Sequence, residues 1–274
     1  MKIKYFAARW GNTHLSVDGF LDLARASGYT GVEIALDPTS MDIQGIRNRC
    51  AAHGLDLVAQ HPYAAGVTLD SLYANYCYKL EAILDTGPLL VNCHTGKDYF
   101  SVTENARYLV SAHQLSEKYG VPVAHESHRG RFAFCAATTL DYLRAFPFLK
   151  FTADFSHWCV VSESLLQDQD NTLNAIIPHC IHIHARVGYA QGPQVPHPGA
   201  SEYQPELNAH LSWWRKILSL RASEGEERTG ITTEFGPDPY MQALPFTRQP
   251  VADLWDTNLF MKNYLIKNLQ YETA

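Results

Sequence analysis

The stretch Gly120–Ser127, GVPVAHES, contains the pattern that decides the fold. Gly120 ends a helical run, since glycine tolerates the left-handed conformation just past a helix. Val121–His125 is short and mostly apolar, which predicts a strand covered on both faces. Glu126 then stands at the C-terminal end of that strand. The same order recurs downstream. Lys150–Ala153 runs into Asp154, Cys180–His184 ends on His184, and Ile231–Glu234 ends on Glu234.

Working outward from this stretch, eight strand–helix alternations can be counted. The predicted strands are Lys4–Arg9, Val32–Leu36, Leu55–Gln60, Leu89–Cys93, Val121–His125, Lys150–Ala153, Cys180–His184 and Ile231–Glu234. Helical runs follow at Val17–Ser27, Ile43–His53, Leu69–Leu84, Glu104–Tyr119, Thr139–Ala145, Leu165–Ile177, Pro205–Arg221 and Val251–Asn268. Strands alternating with helices imply a parallel sheet. Eight such units in 274 residues favour closure, so residues 1–274 are expected to form a single α/β domain, a (β/α)8 TIM barrel. No G-x-G-x-x-G follows the first strand, which argues against a dinucleotide-binding open sheet. Val187–Gln204 and Gly236–Pro250 are long segments that follow strands, and both are expected at the C-terminal face as lids or binding loops.

Composition excludes several classes of function. A net charge of −6 gives no reason to expect a nucleic-acid partner. No apolar run approaches the roughly 20 residues that span a membrane. The beginning, MKIKYFAARWG, lacks the apolar core of a signal peptide, so a cytoplasmic location is expected. The six cysteines are scattered with no C-x-x-C pair, which predicts free thiols rather than a disulfide framework.

In a barrel, reacting groups sit at the C-terminal ends of the strands. Alternate strand residues share a face, so His184 points with His182 and Arg186, Glu234 with Thr232, and Asp154 with Thr152. Glu126, Asp154, His184 and Glu234 would then stand at one level around half of the barrel mouth. A lone histidine or glutamate at a strand end is usually structural. Four at one level on adjacent strands are hard to explain as separate caps or ion pairs, because unpaired buried carboxylates are costly and a cation relieves the cost. A mostly oxygen set with one imidazole suits one divalent ion, Mn²⁺, Mg²⁺, Co²⁺ or Zn²⁺. Further polar groups fall at other strand ends, namely His61, His94 and His157. Arg129 and Arg186 are candidate anchors for a carboxylate or phosphate, whereas Lys97 reads as a surface residue. Glu33 is expected to make a polar contact inside the barrel.

With these residues in view, the chain resembles the xylose isomerase-like TIM-barrel superfamily, in the sugar-phosphate isomerase/epimerase branch related to endonuclease IV. The resemblance rests on SGYTGVEIAL, HES, ADFSHW, HIHARVG and TEFGP in that order, and it covers nearly the whole chain. It implies a small-molecule sugar substrate and one divalent metal held by Glu126, Asp154, His184 and Glu234. It also implies that Glu126 and Glu234 act as acid and base through an enediolate, and that His157 and Arg186 contact substrate. A homodimer or homotetramer is the expectation from relatives. His61 and His94 match histidines of the zinc-dependent endonuclease IV branch, but Gln194-Val195-Pro196-His197 lacks that branch's aspartate. Three other readings stand beside the isomerase or epimerase: a dehydroshikimate dehydratase-like lyase, an endonuclease IV-like zinc hydrolase, and a non-catalytic sugar-binding barrel.

Overall fold

Eight parallel strands close on themselves in the computed structural model, which describes residues 1–269 and the backbone of 272–273. They are β1 (Lys2–Ala8), β2 (Gly31–Ala35), β3 (Asp56–His61), β4 (Leu90–Cys93), β5 (Val123–Glu126), β6 (Phe151–Ala153), β7 (Cys180–His184) and β8 (Arg228–Thr233). Closure is made by β1, which pairs with β2 at Phe6↔Gly31 and with β8 at Tyr5↔Ile231. A two-residue strand, β9 (Glu272–Thr273), lies beside the start of β1.

The helices are α1 (Val17–Ala26), α2 (Ile43–Ala52), α3 (Leu69–Asp85), α4 (Val102–Tyr119), α5 (Ala136–Ala145), α6 (Ser156–Val161), α7 (Asp170–Ile176), α8 (Gln204–Ser223) and α9 (Leu254–Asn268). Local chemistry sets their ends. At α4 the Ser101 hydroxyl accepts from the Glu104 amide, and the Glu104 carboxylate accepts from the Ser101 amide at 2.7 Å. This reciprocal cap moves the start of the helix upstream of the predicted Glu104. Gly120 closes it with φ +64°, as its position predicts.

Apolar side chains of alternate parity fill two layers. Leu57 and Ala59 of β3 face the helices, while Val58 joins Phe6, Leu90 and Ala124 inside the barrel. Burying one such large side chain contributes roughly 1.5–3 kcal/mol. The interior narrows at Gly230, where an added Cβ would stand 2.6 Å from His182 and 3.0 Å from Phe6. Above this apolar floor the interior becomes polar with Glu33, Asn92, His182 and Thr232, all buried.

The expected helix Leu165–Ile177 begins only at Asp170, and an additional helix, α6, precedes it. The chain turns directly from β6 into α6, then passes Glu163 and Leu166 at positive φ before α7 begins. Trp158 pins α6 by donating from its indole to the Ala133 carbonyl at 2.9 Å. A six-residue helix is too short to show a hydrophobic period, so SHWCVV carries no helical signal of its own. Both long loops lie on the C-terminal side, and Gln194 ties them together by exchanging hydrogen bonds with the Gly236 backbone at 2.7 and 3.2 Å. Among the described residues no helix is long and apolar enough to cross a membrane.

Candidate metal centre

The parity that places Ala124 inside the barrel places Glu126 inside as well, one step nearer the mouth. His184, Asp154 and Glu234 arrive by the same logic from β7 and from just past β6 and β8. One ligand atom from each of the four lies within 4.8 Å of the others, and all four residues are buried.

His184 is oriented from behind. Its Nε2 donates to Glu33 at 3.0 and 3.1 Å, which leaves Nδ1 facing forward. Nδ1 stands 2.8 Å from Glu234 Oε2, 3.6 Å from Glu126 Oε2 and 3.8 Å from Asp154 Oδ2. It makes no hydrogen bond to any of them, despite being buried. A ligating histidine whose other nitrogen is bonded to a carboxylate has this arrangement. The charges agree with it. Three carboxylates converge beside one permanent cation, Arg186, leaving an excess of negative charge that a divalent ion would neutralise. These residues fit such an ion.

Burial and charge set the ionisation of the cluster. Burial favours the neutral form of His184, but the carboxylates of Glu234, Glu33 and Glu126 outweigh it and hold its pKa well above the usual imidazole range. Burial also opposes the charge on Glu126, yet His94 and His184 keep its pKa well below the carboxylate range. Glu234 goes the other way. Burial raises it, His184 only partly offsets this, and the charge on Glu126 adds to the rise. Two like carboxylates in one site are thus pushed apart. Burial works against the charged form of Glu33 as well, but His184 and His182 hold it far below its ordinary value.

A cavity of about 320 Å³ opens over the centre. Glu126 and Glu234 line it together with Arg9, Trp10, Gln60 and Tyr240, whereas Asp154 and His184 lie behind its wall. His94 also lines it and donates to Glu126 Oε2 at 3.0 Å. Arg186 reaches the wall, but it is already engaged. Its Nη2 donates to Asp154 Oδ2 and, at 2.8 Å, to His157 Nε2. His157 therefore sits behind Arg186 and outside the wall. Arg129 stacks over Tyr240 at 5.0 Å and also lies outside the wall. His61 is not brought to the mouth at all. It shares the outward parity of Ala59, donates to the Tyr76 carbonyl at 3.1 Å and packs on the Tyr76 ring. His94, Glu126 and His128 form a second convergent set, without His61.

Sequence reasoning missed Gln60 and Asn92. Gln60 donates to Glu234 Oε1 at 2.6 Å, and Asn92 donates to Glu126 Oε2 at 2.6 Å and Glu33 Oε1 at 3.2 Å. The signal was present, since a polar residue inside a short apolar strand needs a buried partner.

The family model described as a xylose isomerase-like TIM barrel matches residues 21–191, more than half of the chain. No curated protein matches the sequence. Among solved structures, D-allulose 3-epimerase from Methylomonas sp. in complex with D-allulose is similar, with a TM-score of 0.64 and 14% identity over 97% of each chain. The probable 3-DHS dehydratase involved in petrobactin synthesis from Bacillus anthracis has a TM-score of 0.60 and 15% identity, over 97% of this chain and 100% of that one. An AP endonuclease, family 2, from Brucella melitensis has a TM-score of 0.61 and 13% identity, over 95% and 98%. Identities this low show a shared fold only. The family match rests on the chain's own residues, and by it this chain belongs to the xylose isomerase-like TIM-barrel family.

Proposed function

We propose that the chain is a divalent-metal-dependent sugar isomerase or epimerase that abstracts a proton beside a carbonyl. The observation that carries this reading is the division of the ligand set. Glu126 and Glu234 both face the ligand atoms and the cavity, whereas Asp154 and His184 face only the ligand atoms. In this reading Asp154 and His184 hold the ion, and the two glutamates both hold it and reach substrate. A divalent ion held there would polarise a carbonyl and an adjacent hydroxyl, acidifying the C–H bond of the hydroxyl-bearing carbon. One glutamate removes that proton and the other returns one, to the opposite face for an epimerisation. Gln60 and Asn92 keep each carboxylate aimed, and Trp10 and Tyr240 give the cavity an aromatic wall.

The test is incubation of the metal-loaded chain with a panel of ketoses in D₂O. Deuterium entering recovered sugar, with a new isomer or epimer appearing, supports the reading. Absence of exchange with every metal tried among Mn²⁺, Co²⁺, Mg²⁺ and Zn²⁺ sinks it. A lyase of the dehydratase kind is the second reading, favoured by the likeness to the Bacillus anthracis structure. It predicts net loss of water from the substrate, which mass spectrometry separates from isomerisation.

A further inference from the structure

Two guanidinium groups line the cavity, and they differ in what they already hold. Arg186 is buried and fully engaged by Asp154, His157 and the Ser156 hydroxyl. Arg9 stands just past β1, and its only side-chain hydrogen bond among the described residues runs from Nη2 to the Leu15 carbonyl at 3.2 Å. Its Nε is buried with no partner, and no carboxylate of the described residues pairs with it. Arg9 is thus a permanent cation in the cavity wall whose charge no carboxylate of the described residues neutralises, and an anion entering the cavity would do so.

The loop around Arg9 is built to hold it there. The Arg9 amide donates to the Glu33 carbonyl at 2.9 Å, the Asn12 amide to the Arg9 carbonyl at 2.9 Å, and the Asn12 side chain to the Ala8 carbonyl at 3.3 Å. Trp10, Ile34, Ala35 and Met41 line the same wall and are apolar or aromatic, with Thr13 adding one hydroxyl. This surrounding decides the kind of anion. A phosphate offers three oxygens and is ordinarily met by several donors, such as the amides of a helix N-terminus. One guanidinium fork in an apolar wall matches a planar group with two oxygens.

We propose that Arg9 recognises a carboxylate on the substrate, so that the site takes a sugar acid in preference to a neutral sugar. This rests on the sugar isomerase or epimerase reading of the same cavity. The test uses three ketohexose probes that differ only at the terminal carbon: D-fructose, D-fructuronate and D-fructose 6-phosphate. Their binding to the Mn²⁺-loaded chain is measured by calorimetry. Fructuronate is expected to bind at least about tenfold more tightly than fructose. Arg9→Gln is expected to bring that ratio close to one, and Arg9→Lys to retain part of it. Arg9→Met, of similar length and uncharged, replaces Arg9→Gln if the latter loses thermal stability. Fructuronate binding that is absent, or no tighter than fructose, overturns the proposal. So does a preference that survives removal of the charge, or tighter binding of fructose 6-phosphate than of fructuronate. Binding is read without turnover, so a chain that binds fructuronate through Arg9 but exchanges no deuterium sinks the isomerase reading and leaves the carboxylate site standing.

Discussion

The two halves of the barrel mouth are built from the same repeating unit and do different work. The half made by β5–β8 ends in Glu126, Asp154, His184 and Glu234, all able to ligate a metal. The half made by β1–β4 supplies no member of that set. It reaches across instead: Asn92 of β4 grips Glu126, Glu33 of β2 grips His184, and Gln60 of β3 grips Glu234. Asp154 is the exception, held from its own half by Ser156 and Arg186. The difference teaches that ligand identity and ligand aim are carried by different strands. A metal-ligating histidine or carboxylate is only as good as the group that fixes its orientation.

The largest expected effect lies in the ligand half. Glu234→Gln keeps the size and loses the ionisable oxygen, and it is expected to lower turnover by about 10²–10⁴-fold while leaving the thermal midpoint nearly unchanged. An active Glu234→Gln variant in the D₂O exchange assay would break the division of labour. Removal of divalent metal by chelation and dialysis should likewise abolish exchange, with recovery on adding back one equivalent of Mn²⁺ or Co²⁺. Elemental analysis showing a second ion per chain would count the His94, Glu126 and His128 set as a further site.

The opposite half is tested by Glu33→Gln. Glu33 is not part of the cavity wall; it orients His184 and also accepts from Asn92 and Thr232, so its removal acts on the ligands from behind. Metal affinity should fall by about 10–100-fold, read by competition with a chelating dye. Unchanged affinity would reduce the first half of the mouth to a passive wall.

A smaller effect concerns the loop over the ligand half. His210 of α8 donates from Nδ1 to the Glu206 carbonyl at 2.9 Å and accepts at Nε2 from the Gly188 amide at 3.2 Å. It is neutral in this role, and burial lowers its pKa to about 4. The unfolded chain then binds more protons than the folded one between that value and about 6.5, so stability is lost as pH falls through this window. The contribution is about 2 kcal/mol between pH 7 and pH 5. Urea unfolding at both pH values should show a loss of stability, and His210→Gln should reduce that loss by about 2 kcal/mol, the other buried histidines His61, His125 and His128 keeping their own contributions.

The smallest effect on activity is expected from His61→Gln. Its side chain lies between β3 and α3, so turnover should stay within about twofold and only stability should fall, by about 1 kcal/mol for the lost hydrogen bond. A large loss of turnover would return His61 to the mouth.

Much of this was legible in the residues. The apolar runs, the glycine stops and the recurring strand-end ligands of GVPVAHES and its three counterparts locate eight strands within a few residues and name the convergent set. His61 shows why the rest was not. In LDLVAQH the three residues before Gln60, namely Leu57, Val58 and Ala59, are apolar on both parities, so nothing in them says whether Gln60 or His61 turns inward. A one-residue choice of parity sends one to Glu234 and the other to Tyr76. Arg9 and Asn92 pose the same difficulty, because a cation or an amide at a strand end is uninformative until its partners are known.

The sequence by itself determined the repeat, the closure and the types of residue at each strand end, because these depend on local periodicity and on chain length. Only the tertiary structure decided which groups meet across the mouth. It paired Arg186 with Asp154 and left Arg9 without a carboxylate among the described residues. Those pairings link residues as far apart as Gln60 and Glu234, and they are set by how the strands tilt and close, which no local pattern encodes.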